Sequence, residues 1–282
     1  MNKEELIKVY ENVREDIDRK YYEYYGETID FPDHDKMREE SRRFKAFGPT
    51  EPDDRKYEDF PRTLIYAENI DFVDKALSWA DDPDMAVLNP ASPSRSGGGV
   101  RNGSRALEEI LCRRSNLLYG LTKYAASDTG LYFTKLGCFE LIWSPGVSIY
   151  RDSDYNTIKK PGKINVITAA ALVHPSLNLD LTFEKNQEVT MKKKIRMVLR
   201  MAIKAGVTKL LLPAWGCGAF GCPAKEVSRC FSEVFKEEEF IGAFEEICFA
   251  ILDDHNAHHE FNPDGNYKPF RDRFGGKPLT MK

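Results

Sequence analysis

Two glutamates, Glu108 and Glu109, follow a run of three glycines, Gly97-Gly98-Gly99, across a polar spacer that contains Gly103. Paired carboxylates can share general acid–base work when their environments differ. Neighbours on a helix point about 100° apart, so one acid can face a ligand while the other braces. Consecutive glycines carry no Cβ, which lets a ligand approach the backbone and lets the chain take positive φ. A helix opening behind them presents unpaired N–H groups and a positive dipole end, both suited to an anion. No Gly-Lys-Ser/Thr closes the loop, and its spacing departs from the dinucleotide fingerprint Gly-x-Gly-x-x-Gly. Many α/β turns share a glycine-rich strand-to-helix passage, and the macrodipole alone favours acids in a first turn. This stretch by itself therefore leaves catalysis and local stability both open.

A second loop of the same kind lies at Trp215-Gly216-Cys217-Gly218-Ala219-Phe220-Gly221, after the apolar run Leu210-Leu211-Leu212 and before Pro223. Two such loops at one end of a parallel sheet predict a cleft lined by backbone donors, as a nucleotide diphosphate needs. Phe220 can pack on a ribose or base, whereas Trp215 reads as core. Cys217 sits where a nucleophile could act, but none of the five histidines is near it in sequence. The six cysteines lack the spacing of a zinc site and read as free thiols of a reducing compartment. A net charge of −4, from 41 basic and 45 acidic residues, does not advertise a long phosphate backbone as partner.

Those loops need a scaffold, and the chain alternates strand-like and helix-like segments from residue 62 onward. Strands are expected at 63–66, 85–88, 163–170, 210–212 and 247–252. Helices are expected at 69–79, 104–121, 190–204 and from Pro223 to Phe235, with Gly206 stopping the third and Pro223 at the first position of the last. This order predicts an α/β sheet that is at least partly parallel. On this reading the two acids stand about one turn inside the 104–121 helix. Lys192-Lys193-Lys194 and Arg196 read as the solvated face of their helix rather than a nucleic-acid footprint. Residues 1–60 differ: Leu6, Val9, Tyr10, Val13 and Ile17 predict an amphipathic helix over 3–24, followed by turns at 31–33 and 48–53. Its tyrosines, Tyr21, Tyr22, Tyr24 and Tyr25, can pack this arm onto the domain or stack on a base. Domains are thus expected at 1–60, a helical arm, and 61–282. The charged N-terminus lacks a secretion signal's apolar stretch and no run approaches the ~20 residues of a membrane helix, so a soluble, cytoplasmic protein is expected.

Together these residues carry a resemblance. The triple glycine, a seven-residue spacer and Leu107-Glu108-Glu109 resemble the signature of the bacterial-type poly(ADP-ribose) glycohydrolases, in which triple glycine precedes Gln-Glu-Glu. Five more blocks are similar in order and spacing: 87–92, 144–152, 166–171, 214–221 and 244–252. The resemblance covers about residues 62–275 and implies a macrodomain-like three-layer α/β/α fold with a mixed sheet and an N-terminal helical extension. It implies hydrolysis of ribose–ribose O-glycosidic bonds, with Glu109 as general acid/base and Glu108 binding the ribose beside it. It further implies that Asn89, Gly97, Gly98 and Gly99 line the distal ribose. Gly216, Gly218, Ala219, Phe220 and Gly221 would cradle the diphosphate. The implied partner is ADP-ribose, free or on a modified protein or polymer, with no membrane, sequence-specific nucleic acid, metal or organic cofactor. Leu107 stands where the family has Gln, and Cys222 where a polar residue often follows the second loop. These departures bear on the substrate, leaving mono-ADP-ribosyl-protein hydrolysis and non-catalytic ADP-ribose binding as alternatives.

Overall fold

The computed structural model describes residues 1–45, 60–253 and 259–276. In chain order the first elements are α1 (Lys3–Arg19), β1 (Tyr21–Tyr24), β2 (Glu27–Asp30), α2 (His34–Glu40) and β3 (Arg42–Lys45). They are followed by β4 (Leu64–Glu68), α3 (Phe72–Ser78), β5 (Met85–Pro90), α4 (Leu107–Arg114) and α5 (Leu117–Leu121). Next come β6 (Glu140–Arg151), β7 (Thr157–Ala169), α6 (Lys185–Lys204), β8 (Lys209–Leu212), α7 (Ala224–Val234), β9 (Glu246–Ala250) and α8 (Tyr267–Phe274). Strands β3 to β9 form a mixed seven-stranded sheet with flanking helices, while β1 and β2 pair as a separate hairpin. The described residues divide into two compact units, the first containing residues 1–45, 73–83 and 89–169 and the second residues 60–72, 84–88, 170–253 and 259–276.

The first unit carries the antiparallel strands, ordered β3-β6-β7. Helix α1 starts in a capping box: Asn2 Oδ1 accepts the Glu5 N–H at 3.0 Å, and Glu5 Oε2 accepts the Asn2 N–H at 2.6 Å. It ends at Lys20, whose φ of 68° is left-handed, so the helix expected over 3–24 stops at Arg19. The tyrosines beyond it form β1 instead, as aromatic residues favour a pleated, half-buried surface. Tyr22 packs between Phe31 and Tyr150, the packing role expected for the run, while Tyr25 stays exposed. Buried Asp16 of α1 accepts from Arg151 Nη2 at 2.7 Å and from the Tyr150 hydroxyl at 3.1 Å, tying α1 to β6. The domain division drawn at residue 60 and the turn expected at 48–53 both involve residues 46–59, outside the described residues.

The helix expected over 104–121 is two helices. Ser115 is extended and bridges Ile149, Asn116 Oδ1 accepts the Ser148 N–H at 2.8 Å, and the Asn116 N–H donates to the Ser148 carbonyl at 3.1 Å. These bonds to β6 compete with helix continuation and win. The helix also begins at Leu107 rather than Ser104, which puts Glu108 and Glu109 in its first turn. Strand β6, absent from the sequence reading, is interrupted by a register shift between Ser144 and Val147, where Pro145 and Gly146 break the alternation.

The second unit carries β8, β9, β4 and the Met85–Leu88 stretch of β5, whose last two residues belong to the first unit; these strands are parallel and ordered β5-β8-β9-β4. Its apolar filling includes Phe231, Phe249, Phe270 and Phe274, whose rings contact one another. Pro223 is the N-cap of α7 rather than its first helical residue. The basic cluster on α6 is not simply a solvated face. Lys192 pairs with Glu188 and Glu233, Lys194 is buried with Nζ donating to the Ala170 carbonyl at 3.0 Å, and Arg196 forms a two-pronged pair with Glu237. Among the described residues, no helix is long and apolar enough to cross a membrane.

One of these networks predicts a pH effect. Hydrogen bonds from Arg229 and Lys192 hold the Glu188 carboxyl down at about 2. The unfolded chain, with an ordinary glutamate near 4.3, binds more protons than the folded one between those values. Stability therefore falls as pH drops through that window. With the Glu188 side chain 27% exposed, screening reduces the effect to about 1 kcal/mol. Urea titrations at pH 5 and pH 3 should show Glu188→Gln losing less stability on acidification than the parent.

Candidate active site

In the first unit the strand β5 delivers Asn89 and Pro90, the chain crosses Ser92 to Gly103, and α4 opens on Leu107. This brings Asn89, Gly97, Gly98, Gly99, Glu108 and Glu109 together. The two glutamates divide as adjacent helical positions must. Glu108 is 3% exposed, and its two carboxylate oxygens accept the N–H groups of Ser92 at 2.7 Å and Gly97 at 3.1 Å. It staples both ends of the Ser92–Gly97 segment. Burial pushes its carboxyl well above the usual range, against the pull of the Ser92 N–H and with Glu109 adding to the rise.

Glu109 is 6% exposed, and its Oε1 accepts the Gly99 N–H at 2.7 Å. Its Oε2 is buried and has no hydrogen-bond partner among the described residues. Asn89 is wholly buried, with Nδ2 donating to Thr168 Oγ1 at 3.3 Å and Oδ1 likewise unpartnered. A buried polar atom without a partner costs about 1–3 kcal/mol, so native structures keep few of them. Asn89 Oδ1 and Glu109 Oε2 are two such atoms, both beside the triple-glycine loop.

The glycines serve the carboxylates. The N–H groups of Gly97 and Gly99 go to Glu108 and Glu109, and that of Gly98 goes to the Arg95 carbonyl at 3.1 Å. The donors expected to face an anion are thus spent inside the loop. What the missing side chains provide is room for the carboxylates. Gly97 and Gly98 take φ of 72° and 56°, and a Cβ on Gly98 would clash with Glu109 Oε1 and lie 2.8 Å from Glu108 Oε2.

Residues outside the sequence motifs complete this side. Arg113, fully buried, donates to the carbonyls of Ser104 at 2.7 Å, Val100 at 3.1 Å and Leu6 at 3.1 Å, joining the loop's far end to α1. Tyr132 is buried with a hydroxyl that has no partner among the described residues, and the charge of Glu108 helps raise its pKa after burial. Nothing in the local sequence marks either residue, because each is placed by the fold among segments distant in the chain.

In the second unit the Gly216–Gly221 loop follows β8. It closes through the Cys222 N–H to the Gly216 carbonyl at 3.0 Å, with φ of 83° at Gly216 and 71° at Gly221. The N–H groups of Gly218, Ala219 and Phe220 donate to no carbonyl among the described residues. This loop therefore keeps the free donors that the first one spends. Trp215 is buried and Phe220 half-buried. Burial pushes the Cys217 thiol well up and Cys222 to about 12, so neither is a thiolate nucleophile at neutral pH. Leu107, in the position of the family's Gln, is half-exposed on the first turn of α4.

Residues 11–152, half of the chain, match the sequence family described as "Microbial-type PARG, catalytic domain". A poly(ADP-ribose) glycohydrolase from Thermomonospora curvata bound to the inhibitor ADP-HPD is similar in structure with a TM-score of 0.76. It is 23% identical, over 96% of this chain and 100% of that one, and the likeness is one of fold. A poly(ADP-ribose) glycohydrolase from Deinococcus radiodurans in complex with ADP-ribose is similar with a TM-score of 0.67 and 27% identity, over 87% of this chain and 98% of that one. An uncharacterised protein of Pyrococcus horikoshii is 42% identical over 55 residues, 20% of this chain and 29% of the relative. The chain thus matches less than a third of that curated relative's length. The mixed sheet with flanking helices and the N-terminal helix follow the architecture of the bacterial glycohydrolases.

Proposed function

The chain belongs to the family of microbial-type poly(ADP-ribose) glycohydrolase catalytic domains, and from that premise we propose that it hydrolyses ribose–ribose O-glycosidic bonds, releasing ADP-ribose. The observation that carries this reading is the division of labour between the two glutamates. One oxygen of Glu109 is fixed by the Gly99 N–H while the other is buried and unpartnered, and Glu108 is committed to the loop.

Breaking the bond builds positive charge on the ribose and negative charge on the departing oxygen. Glu109 Oε2 protonates that oxygen as the bond lengthens. Water then attacks the anomeric carbon and gives a proton to the same carboxylate, which restores the starting state. Glu108 braces the loop on which Glu109 rests and takes part in holding the ribose. Asn89 Oδ1 accepts from a ribose hydroxyl, and Gly97, Gly98 and Gly99 let the sugar approach the backbone. The free N–H groups of Gly218, Ala219 and Phe220 cradle the diphosphate, with Gly216 and Gly221 shaping the turn and Phe220 packing on the ribose. The D. radiodurans relative solved with ADP-ribose supports this ligand class.

The test is to incubate the purified protein with automodified poly(ADP-ribosyl)ated substrate and resolve the products by chromatography. Free ADP-ribose is expected. Release only from a mono-ADP-ribosylated protein would move the assignment to side-chain de-modification, the reading that half-exposed, apolar Leu107 favours. Tight binding of ADP-ribose with no release from either substrate would make the protein a reader.

A further inference from the structure

A single buried side chain, far along the chain from either glycine loop, holds the second one in shape. Asn262 is 3% exposed and uses its whole amide. Its Oδ1 accepts the Ala224 N–H at 2.6 Å, at the start of α7, where Pro223 supplies no side-chain cap. Its Nδ2 donates to the Cys217 carbonyl at 2.9 Å and to Asn266 Oδ1 at 2.8 Å, with a longer contact of 3.4 Å to the Cys222 carbonyl. Cys217 and Cys222 bracket the segment Gly218–Gly221. One amide thus spans both ends of the loop and the helix after it. The Phe220 carbonyl is held separately, by the His174 N–H at 2.8 Å. Asn266, itself mostly buried, fixes which way the Asn262 amide points.

We infer that Asn262 is a positioning residue for ligand binding: it holds the Cys217 and Cys222 carbonyls back so that the N–H groups of Gly218, Ala219 and Phe220, which donate to no carbonyl among the described residues, stay aligned for a diphosphate. The inference rests on the proposed assignment of this loop to the diphosphate of ADP-ribose. Free backbone donors bind an anion well only when they are pre-aligned, since ordering them at the moment of binding subtracts from affinity. Asn262 touches neither the reacting bond nor its carboxylates, so its loss is expected in KM and in ADP-ribose affinity rather than in kcat.

Asn262→Asp separates this role from simple support of the fold. The aspartate keeps an acceptor for the Ala224 N–H, and with it the start of α7, but loses the donors and turns an oxygen toward the Cys217 carbonyl. ADP-ribose binding, measured by calorimetry on the full chain, is expected to weaken about ten-fold or more, with kcat on polymer within about two-fold of the parent. A second pair covers the case in which Asn262→Asp does not fold. Asn266→Ala releases the Asn262 amide without altering it and is expected to weaken binding about three-fold, whereas Asn266→Asp keeps the acceptor and restores affinity. Unchanged binding in a folded Asn262→Asp overturns the inference, as does equal behaviour of Asn266→Ala and Asn266→Asp. A parent protein that binds no ADP-ribose would instead overturn the functional assignment on which it rests.

Discussion

Glu109→Gln is expected to lower the rate of ADP-ribose release by about 10²–10⁴-fold while leaving ADP-ribose affinity within a few-fold of the parent. The substitution is nearly isosteric, and the glutamine carbonyl can still accept the Gly99 N–H that holds Glu109 Oε1 at 2.7 Å. What it removes is the capacity to give a proton to the leaving oxygen and take one from water. Single-turnover release from polymer, set beside calorimetric affinity, reads the two quantities separately. A variant that binds normally and barely turns over places the proton on Glu109. Activity close to that of the parent would move general acid–base work to another group and sink the assignment.

Gly98→Ala should be nearly as damaging to turnover, for a geometric reason. The added Cβ would clash with Glu109 Oε1 and come within 2.8 Å of Glu108 Oε2. The glutamate ends are flexible enough to move, so the protein folds, but they move away from where the reaction needs them. Displacing a catalytic group by about 1 Å can cost about 10²-fold, and a loss of that order is expected. The left-handed backbone adds a destabilisation of about 1–2 kcal/mol, or about 2–6 °C in melting temperature for a domain of this size. Gly146→Ala is the control: Gly146 has a φ of 68° in β6, but its Cβ would meet nothing within 4 Å. Similar melting shifts in both variants, with activity lost only in Gly98→Ala, would assign the loss to the carboxylates. Full activity in a folded Gly98→Ala would show that they tolerate the intrusion and that the triple glycine serves another purpose.

Much of the fold and one side of the site could be read from residue order because the controlling interactions are local. Three glycines, a short spacer and two acids on a helix's first turn lie within thirteen consecutive residues, 97–109. No rearrangement of the rest of the chain can separate them far. The parallel strands β5, β8 and β9 were legible as short apolar runs because each is largely buried, and β4 as an apolar run although only Tyr66 and Ala67 of it are buried. Strand β3 was not, since Arg42-Arg43-Phe44-Lys45 has the charged make-up of an edge strand, which resembles a loop when read alone. Nor was β6, whose Pro145-Gly146 interruption hides a twelve-residue strand.

Long-range contacts settled what local pattern could not. The break between α4 and α5 exists because β6 offers Ser115 and Asn116 better partners than the next helical turn does. Glycine-rich composition suggested that both loops would present their N–H groups to an anion. In the folded chain the first loop gives its donors to Glu108, Glu109 and Arg95, whereas in the second the N–H groups of Gly218, Ala219 and Phe220 meet no carbonyl among the described residues. A glycine permits many backbone shapes and selects none of them. The selection comes from side chains that arrive from elsewhere: the two carboxylates at the first loop, and the amide of Asn262, about forty residues further along, at the second.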